Sequence, residues 1–319
     1  MDPYLLLKAI GFLLLVIIGI PGNIFIMMQL TYLRITEKKL QPNNIILIAL
    51  AFVNLLVILS RIIPQLINAL GVEELLDDTE CKFVIFTYRV NRAMSICLTS
   101  FLSCYQCILI APNTKLWSYL KHKVTQNVVA MIFLFWIINI AIYPYFILNA
   151  RTRRNQTTSP YTLHLVYCDA DFLNYMAYIA NGTMYSFRDF IFVGLMVLAS
   201  SYIVFILLSH ERSVKTIRSS DRTQQRSVEY RASRAVILLV ALYVLLYGLD
   251  NCIWIYTLTL SNVTPNTNEI RIFLASSYSS LSPIVIKITN PKLQQKLFTC
   301  SKKRKHNCKI NGQVYSISK

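Results

Sequence analysis

Seven long apolar blocks divide the chain, at residues 5–30, 43–70, 82–110, 128–148, 187–208, 235–260 and 270–289. A helix needs about 20 apolar residues to cross a bilayer, and in hydrocarbon the backbone must satisfy its own polar groups. Blocks of this length therefore read as spanning helices, and none shows the strict alternation of a barrel strand. The expectation is an all-α membrane protein: a seven-transmembrane helix bundle over residues 1–290, followed by a tail over 291–319. Composition agrees, since 15% of the residues are charged where a soluble domain carries about 25%. The first block is too long for a signal-peptide core and lacks a basic leader, so it reads as the first helix.

A formal net charge of +17 would suit a polyanionic partner if the charge were spread evenly, and it is not. With the N-terminus outside, Arg34, Lys38 and Lys39 fall in the first inner connection and Lys115, Lys121 and Lys123 in the second. Arg212, Lys215, Arg218, Arg222, Arg226, Arg231 and Arg234 fall in the third, and eight more basic residues in the tail. The first outer connection instead carries Glu73, Glu74, Asp77, Asp78 and Glu80 with no basic residue. This asymmetry predicts an N-out, C-in plasma-membrane protein whose basic excess faces the inner leaflet of the lipid bilayer and not a nucleic acid.

The sequons at Asn155, Asn181 and Asn262 all fall in connections assigned to the outside, where glycosylation is possible. Cys81 opens the third block at its outer end and Cys168 lies in the second outer connection, which predicts a Cys81–Cys168 disulfide in the oxidising compartment. Cys97, Cys104, Cys107 and Cys252 read as small buried hydrophobes within spans. In the tail, Leu293, Leu297 and Cys300 share one face of a short interfacial helix. Cys300 and Cys308 stand near the basic run 302–305 either as free thiols or as palmitoylation sites.

Polar residues inside spans carry the functional information, because each costs free energy in hydrocarbon and must face the bundle interior. Arg89 and Arg92, three apart, share a helix face and lie roughly 12 and 16 Å below Cys81 at about 1.5 Å per residue. Arg61 in the second helix and Asp250 in the sixth reach comparable depth, and Tyr88, Asn91, Tyr247, Asn251 and Trp254 supply aromatic and hydrogen-bonding groups nearby. Such a set describes an outer pocket for a small aromatic or amphipathic anion, since guanidinium groups hold carboxylate or sulfate as planar forks. The plainer role is a staple in which Asp250 pairs with Arg89 or Arg92, and the two roles are compatible. Asn23 and Asn54 read as interhelical hydrogen-bonding glue. Arg188 and Asp189, opening the fifth helix, read as interfacial anchors in preference to pocket rim, and Lys287 as a residue that snorkels to the inner headgroups.

Catalytic and metal motifs are absent: His122, His164, His210 and His306 are scattered, and no HExxH, P-loop, GxGxxG or GxSxG occurs. The chain reads as no enzyme and needs no cofactor. Internal repeats and paired broken helices, the marks of a transporter, are not visible either.

The ordered motifs resemble the vomeronasal type-1 receptor family, including its olfactory receptor class A-like relatives, over nearly the whole chain. They are Gly19-Ile-Pro-Gly-Asn23, Leu50-Ala-Phe-Val-Asn54, Cys81-Lys82, Tyr88-Arg-Val-Asn-Arg92, Ser95-Ile-Cys-Leu-Thr99, Ala111-Pro112 and Lys121-His-Lys123. His210, Arg212, Val214, Glu229, Arg231-Ala232 and Ser282-Pro283 complete the set. The resemblance implies a G-protein-coupled receptor that detects small odorant or pheromone-like molecules on chemosensory neurons. It lacks the acidic-Arg-aromatic triplet ending the third helix of most rhodopsin-like receptors, with Ala111-Pro112-Asn113 there instead. It also lacks Cys-Trp-x-Pro in the sixth helix and Asn-Pro-x-x-Tyr in the seventh.

The expected mechanism is a ligand-driven population shift that opens a basic inner crevice to a heterotrimeric G protein. Contacts would come from Lys115, Lys121, Lys123, Arg212, Lys215, Arg218, Arg231 and Arg234. Two rivals are a bitter-taste-type receptor, which the Tyr88-Arg-Val-Asn-Arg92 run argues against, and a ligand-gated channel or transporter.

Overall fold

The computed structural model describes residues 3–37, 41–72, 75–112, 114–152, 162–164, 167–171, 174–214, 223–259 and 265–289. Its helices are α1 (Pro3–Glu37), α2 (Pro42–Val57), α3 (Ile63–Ala69), α4 (Asp78–Ile110), α5 (Lys115–Ile142), α6 (Pro144–Asn149), α7 (Tyr175–Val214), α8 (Thr223–Thr259) and α9 (Pro265–Thr289). A π-helical turn, Ile58–Ile62, joins α2 to α3. The expected tail helix, Cys300 and Cys308 lie outside the described residues, as do Asn155, Asn262, Lys215 and Arg218.

Six helices are long and apolar enough to cross a membrane, within Leu5–Leu33, Pro42–Ala69, Asp78–Ile110, Lys115–Ile142, Tyr175–Ser209 and Ser233–Ile253. Helix α9 occupies the seventh expected block but is not among them. Ser276, Ser277, Ser279, Ser280 and Ser282 dilute its hydropathy, and all five face inward and are buried. Ser277 donates to the Phe273 carbonyl at 2.6 Å, the back-bond by which a helical hydroxyl satisfies itself.

Helix α4 is the hub, packing against α2, α5, α6, α7 and α8, while α1 bridges α2 and α9 and so closes the ring. Two glycines permit the tight approach of α1. A Cβ on Gly19 would lie 2.6 Å from the Ile58 Cδ1 and 2.7 Å from the Ser280 Oγ, and one on Gly22 would lie 2.9 Å from Pro283. The main core runs through Ile26, Leu50, Met94, Leu98, Leu102 and Met196, each fully buried.

The helices overrun their apolar blocks, because hydropathy marks only the part suited to lipid while each further residue of helix adds a backbone hydrogen bond. Lys115, Lys121 and Lys123 therefore belong to the first turns of α5 and not to a loop. Likewise α7 starts at Tyr175, which places Asn181 inside a helix. There its Nδ2 donates to the Ala177 carbonyl at 2.8 Å and its Oδ1 accepts from the Tyr185 hydroxyl at 2.9 Å. The expectation of a loop sequon at Asn181 is corrected accordingly. Among the four free cysteines described, Cys97 is buried, Cys104 and Cys107 are half-buried, and Cys252 is exposed, so the buried-hydrophobe reading fails at Cys252.

The connection between α6 and α7 holds a small antiparallel sheet, β1 (Ala150–Thr152), β2 (Thr162–His164) and β3 (Cys168–Asp171), in the order β1-β3-β2. Cys168 on β3 is bonded to Cys81 on α4, with their Cα atoms 5.6 Å apart, as predicted. Acidic residues at the start of α4 cap it and tie it to the sheet. Asp77 and Glu80 form a capping box on its first turn, and the Asp78 carboxylate accepts from the Thr152 backbone N–H at 2.7 Å, tying the sheet to the helix end.

Candidate functional site

The half of the bundle nearest the disulfide collects its buried charges. The π turn arises where Pro64 cannot donate to the carbonyl of Ser60. The Ile63 N–H instead reaches the Ile58 carbonyl, and the Ser60 hydroxyl donates to the Leu56 carbonyl at 2.7 Å. A π turn carries an extra residue per turn and is frequent at functional sites. Here it presents Arg61, whose guanidinium carbon sits 5.2 Å from the Tyr88 ring centroid.

On α4, the Arg92 Nη2 lies 3.1 Å from the Asp250 Oδ2, and the Nε of Arg271, on α9, lies 3.2 Å from the other oxygen of the same carboxylate. The staple foreseen between Asp250 and a helix-3 arginine thus exists with Arg92, and it is shared with α9. Asp250 is 4% exposed. Around this triad, Tyr243 and Tyr247 stack at 5.6 Å and Tyr243 meets Tyr278 edge-on at 4.9 Å. A cavity of about 20 Å³ lies among Arg92, Ser95, Tyr243, Tyr247, Tyr278 and Ser279, room for about one water.

Arg188 and Asp189 do not anchor the interface. Because α7 begins at Tyr175, they sit about three and a half turns inside it and form an ion pair with side chains 11% and 14% exposed. Arg188 Nη1 also donates to the Tyr143 hydroxyl at 2.6 Å and the Asn139 Oδ1 at 3.2 Å. Arg89 lies within electrostatic reach of Tyr88, Tyr143, Tyr185 and Arg92. Asn91 and Asn251 are bound to their own helices, donating to the Thr87 and Tyr247 carbonyls at 2.7 Å each. The Asn91 Oδ1 is buried with no hydrogen-bond partner among the described residues. Trp254 lies on α8, and its side chain is outside the described residues.

Of the set expected from sequence, Arg61, Tyr88, Arg89, Arg92 and Asp250 lie on or against α4, and Arg188, Asp189 and Arg271 stand with them. Among the described residues around α4, five guanidinium groups (Arg61, Arg89, Arg92, Arg188, Arg271) meet two carboxylates (Asp189, Asp250), while Asp169 is buried on β3 and Glu269 is paired with Lys8. Guanidinium remains protonated throughout the accessible pH range, so this part of the bundle keeps a cationic surplus with aromatic walls, suited to an anionic planar group.

Toward the other end the polar groups are neutral. The Ser95 hydroxyl donates to Asn54 Oδ1 at 2.8 Å, and Asn54 Nδ2 donates to the Ser282 hydroxyl at 3.0 Å. Asn23 Nδ2 donates to the Ser279 carbonyl at 3.0 Å and the Gly19 carbonyl at 2.8 Å. Both asparagines join helices, as expected. At the far end Gln106 Nε2 donates to Asn43 Oδ1 at 2.8 Å, and Lys121 Nζ caps the Ala111 carbonyl at 3.0 Å. Lys115, Lys123 and Arg234 are exposed there, and the side chains of Arg212 and Arg231 lie outside the described residues. Lys287 sits over the Phe25 ring at 5.2 Å.

The model of the vomeronasal organ pheromone receptor family matches residues 8–299 of the chain. Olfactory receptor class A-like protein 1 of Danio rerio is 40% identical over 301 residues, covering 93% of both chains. Human vomeronasal type-1 receptor 3 is 33% identical over 238 residues, 73% of this chain and 76% of that one. Human vomeronasal type-1 receptor 1 is 27% identical over 293 residues, 92% of this chain and 83% of its own.

Proposed function

Because the chain belongs to the vomeronasal organ pheromone receptor family, a family of multi-pass chemosensory membrane receptors that couple to G proteins, we propose that it detects a small organic anion. The anion enters an outer pocket formed by Arg61, Tyr88, Arg89, Asn91, Arg92, Tyr247, Asp250, Asn251 and Trp254, to which Arg188, Asp189 and Arg271 are added.

In this reading the disulfide end is extracellular, α9 is the seventh span, residues 1–290 form the membrane body and residues 291–319 a basic cytoplasmic tail. Asn155 and Asn262 are the glycan acceptors that the topology exposes. The observation that carries the proposal is the surplus of guanidinium over carboxylate around α4, with Asp250 already divided between Arg92 and Arg271. A ligand carboxylate competing for Arg92 or Arg271 loosens a contact that joins α4, α8 and α9.

An agonist binding more tightly when α8 has moved from α4 shifts the population toward that arrangement. The cytosolic end then receives a heterotrimeric G protein at Lys115, Lys121, Lys123, Arg212, Lys215, Arg218, Arg231 and Arg234.

The test is a calcium or cAMP screen of expressed receptor against matched small acids, amines and neutral analogues. Acids should activate, and Arg92→Ala should raise their half-maximal concentration by about ten- to a hundredfold, the size of one charge-assisted hydrogen bond, with the receptor still at the surface. Activation by amines with unchanged potency in Arg92→Ala would discard the anion pocket.

A further inference from the structure

Gln65, one turn beyond Arg61, is fully buried, and neither its Nε2 nor its Oε1 has a hydrogen-bond partner among the described residues. The Nε of Arg61 is buried and without a hydrogen-bond partner among them as well. Both side chains line a cavity of about 20 Å³ between the π turn, α3, α4 and β3, whose wall includes Leu76, Ile85, Tyr88 and Cys168. Two other polar groups in that wall, Ser60 and Tyr167, are engaged elsewhere. The Ser60 hydroxyl donates to the Leu56 carbonyl and the Tyr167 hydroxyl to the Val72 carbonyl at 2.8 Å.

A buried amide left without partners is disfavoured, and such groups are nearly always satisfied by protein, water or ligand. Unmatched donors and acceptors concentrated in one cavity therefore mark a place built for something that both gives and receives a hydrogen bond. Its size admits about one water, which selects the chemistry of the occupant. An amide needs a donor for its oxygen and an acceptor for its nitrogen. A carboxylate only accepts and is larger, whereas an ammonium only donates and would face the Arg61 cation. A hydroxyl matches on both counts.

We propose that Gln65 and Arg61 form a second subsite, under the Cys81–Cys168 bridge, that takes a hydroxyl group of the ligand while its acid group meets the guanidinium cluster. The inference rests on the anion-receptor reading and deepens it, naming hydroxylated small acids as the ligand class. Tyr88 lines this cavity and lies under Arg61, and Arg61 itself belongs to both the cavity wall and the guanidinium cluster, so the subsite adjoins the anion pocket.

The experiment compares the potencies of benzoate with meta-hydroxybenzoate, and of hexanoate with its ω-hydroxy derivative. The receptors are wild-type, Gln65→Leu and Gln65→Met, with responses normalised to surface-labelled protein. In the wild type the hydroxylated member of a pair should be the more potent. Either substitution should cost it about tenfold, the worth of one buried hydrogen bond, and leave the unhydroxylated member unchanged. Equal shifts for both members, or none, would overturn the subsite while leaving the anion pocket standing. A wild-type receptor silent to all four acids would instead remove the anion reading and the subsite with it. Gln65→Met preserves volume without the amide, so a delivery defect confined to Gln65→Leu does not decide the outcome.

Discussion

The two halves of α4 organise polar chemistry in opposite ways. Near the disulfide, Arg89 and Arg92 belong to a set of cations that outnumber the carboxylates beside them. Farther along the same helix, Ser95 and Thr99 belong to a neutral set, with Asn54, Tyr278 and Ser282, whose donors find acceptors within the protein. A neutral, closed network holds helices together and asks for nothing from outside. A charge surplus in a low-dielectric site is stabilised further by any anion that arrives, which makes it costly for folding and useful for recognition.

Breaking the frame around the cationic half should have the largest effect. Cys81→Ser or Cys168→Ser releases a bond between residues 87 apart in sequence, worth about 4.6 kcal/mol through chain entropy. Cell-surface labelling should fall steeply and equally in both, with the double variant no worse than either; additive losses would mean the cysteines act separately.

Next in size is Asp250→Asn, which strips two guanidinium groups of their shared partner. A loss of about 3–5 kcal/mol is expected for breaking a buried ion pair, seen as a lower melting temperature of detergent-purified receptor that a bound small acid partly restores. Failure of any acid to restore it would break the contrast drawn between the halves.

The smallest effect belongs to the neutral half: Asn54→Leu should cost about 1 kcal/mol of interhelical hydrogen bonding. It should leave the ranking of acid, amine and neutral ligands as in wild type. A changed ranking would show that the two halves are not separable.

Much of this was legible in the chain. The disulfide followed from which side of the membrane each cysteine occupied, and Asn23 and Asn54 from the cost of a lone amide in hydrocarbon. What stayed hidden had a common physical origin, since hydropathy locates lipid contact but not helix ends. The stretch from Tyr175 to Ser186 is polar enough to read as a loop, so Arg188 and Asp189 seemed to lie at a helix mouth when they are well inside. Arg271 was passed over for the same reason at the start of α9. Gln65 carried no signal at all, because a single glutamine in an apolar run becomes informative only when its surroundings fail to satisfy it. Cys252 showed the converse, a residue type usually interior placed on an outward face.

The π turn at Ile58–Ile62 has a consequence for how such a chain diversifies. An inserted residue in a helix rotates everything beyond it by about 100°, and a π turn absorbs one such residue without breaking the rod. Deletion of that single residue would return the turn to α geometry and re-aim Arg61 within it, while Gln65 beyond it and Asn54 on the preceding turns kept their faces. A relative could thus acquire a differently furnished mouth through one codon deletion, its deeper framework left untouched.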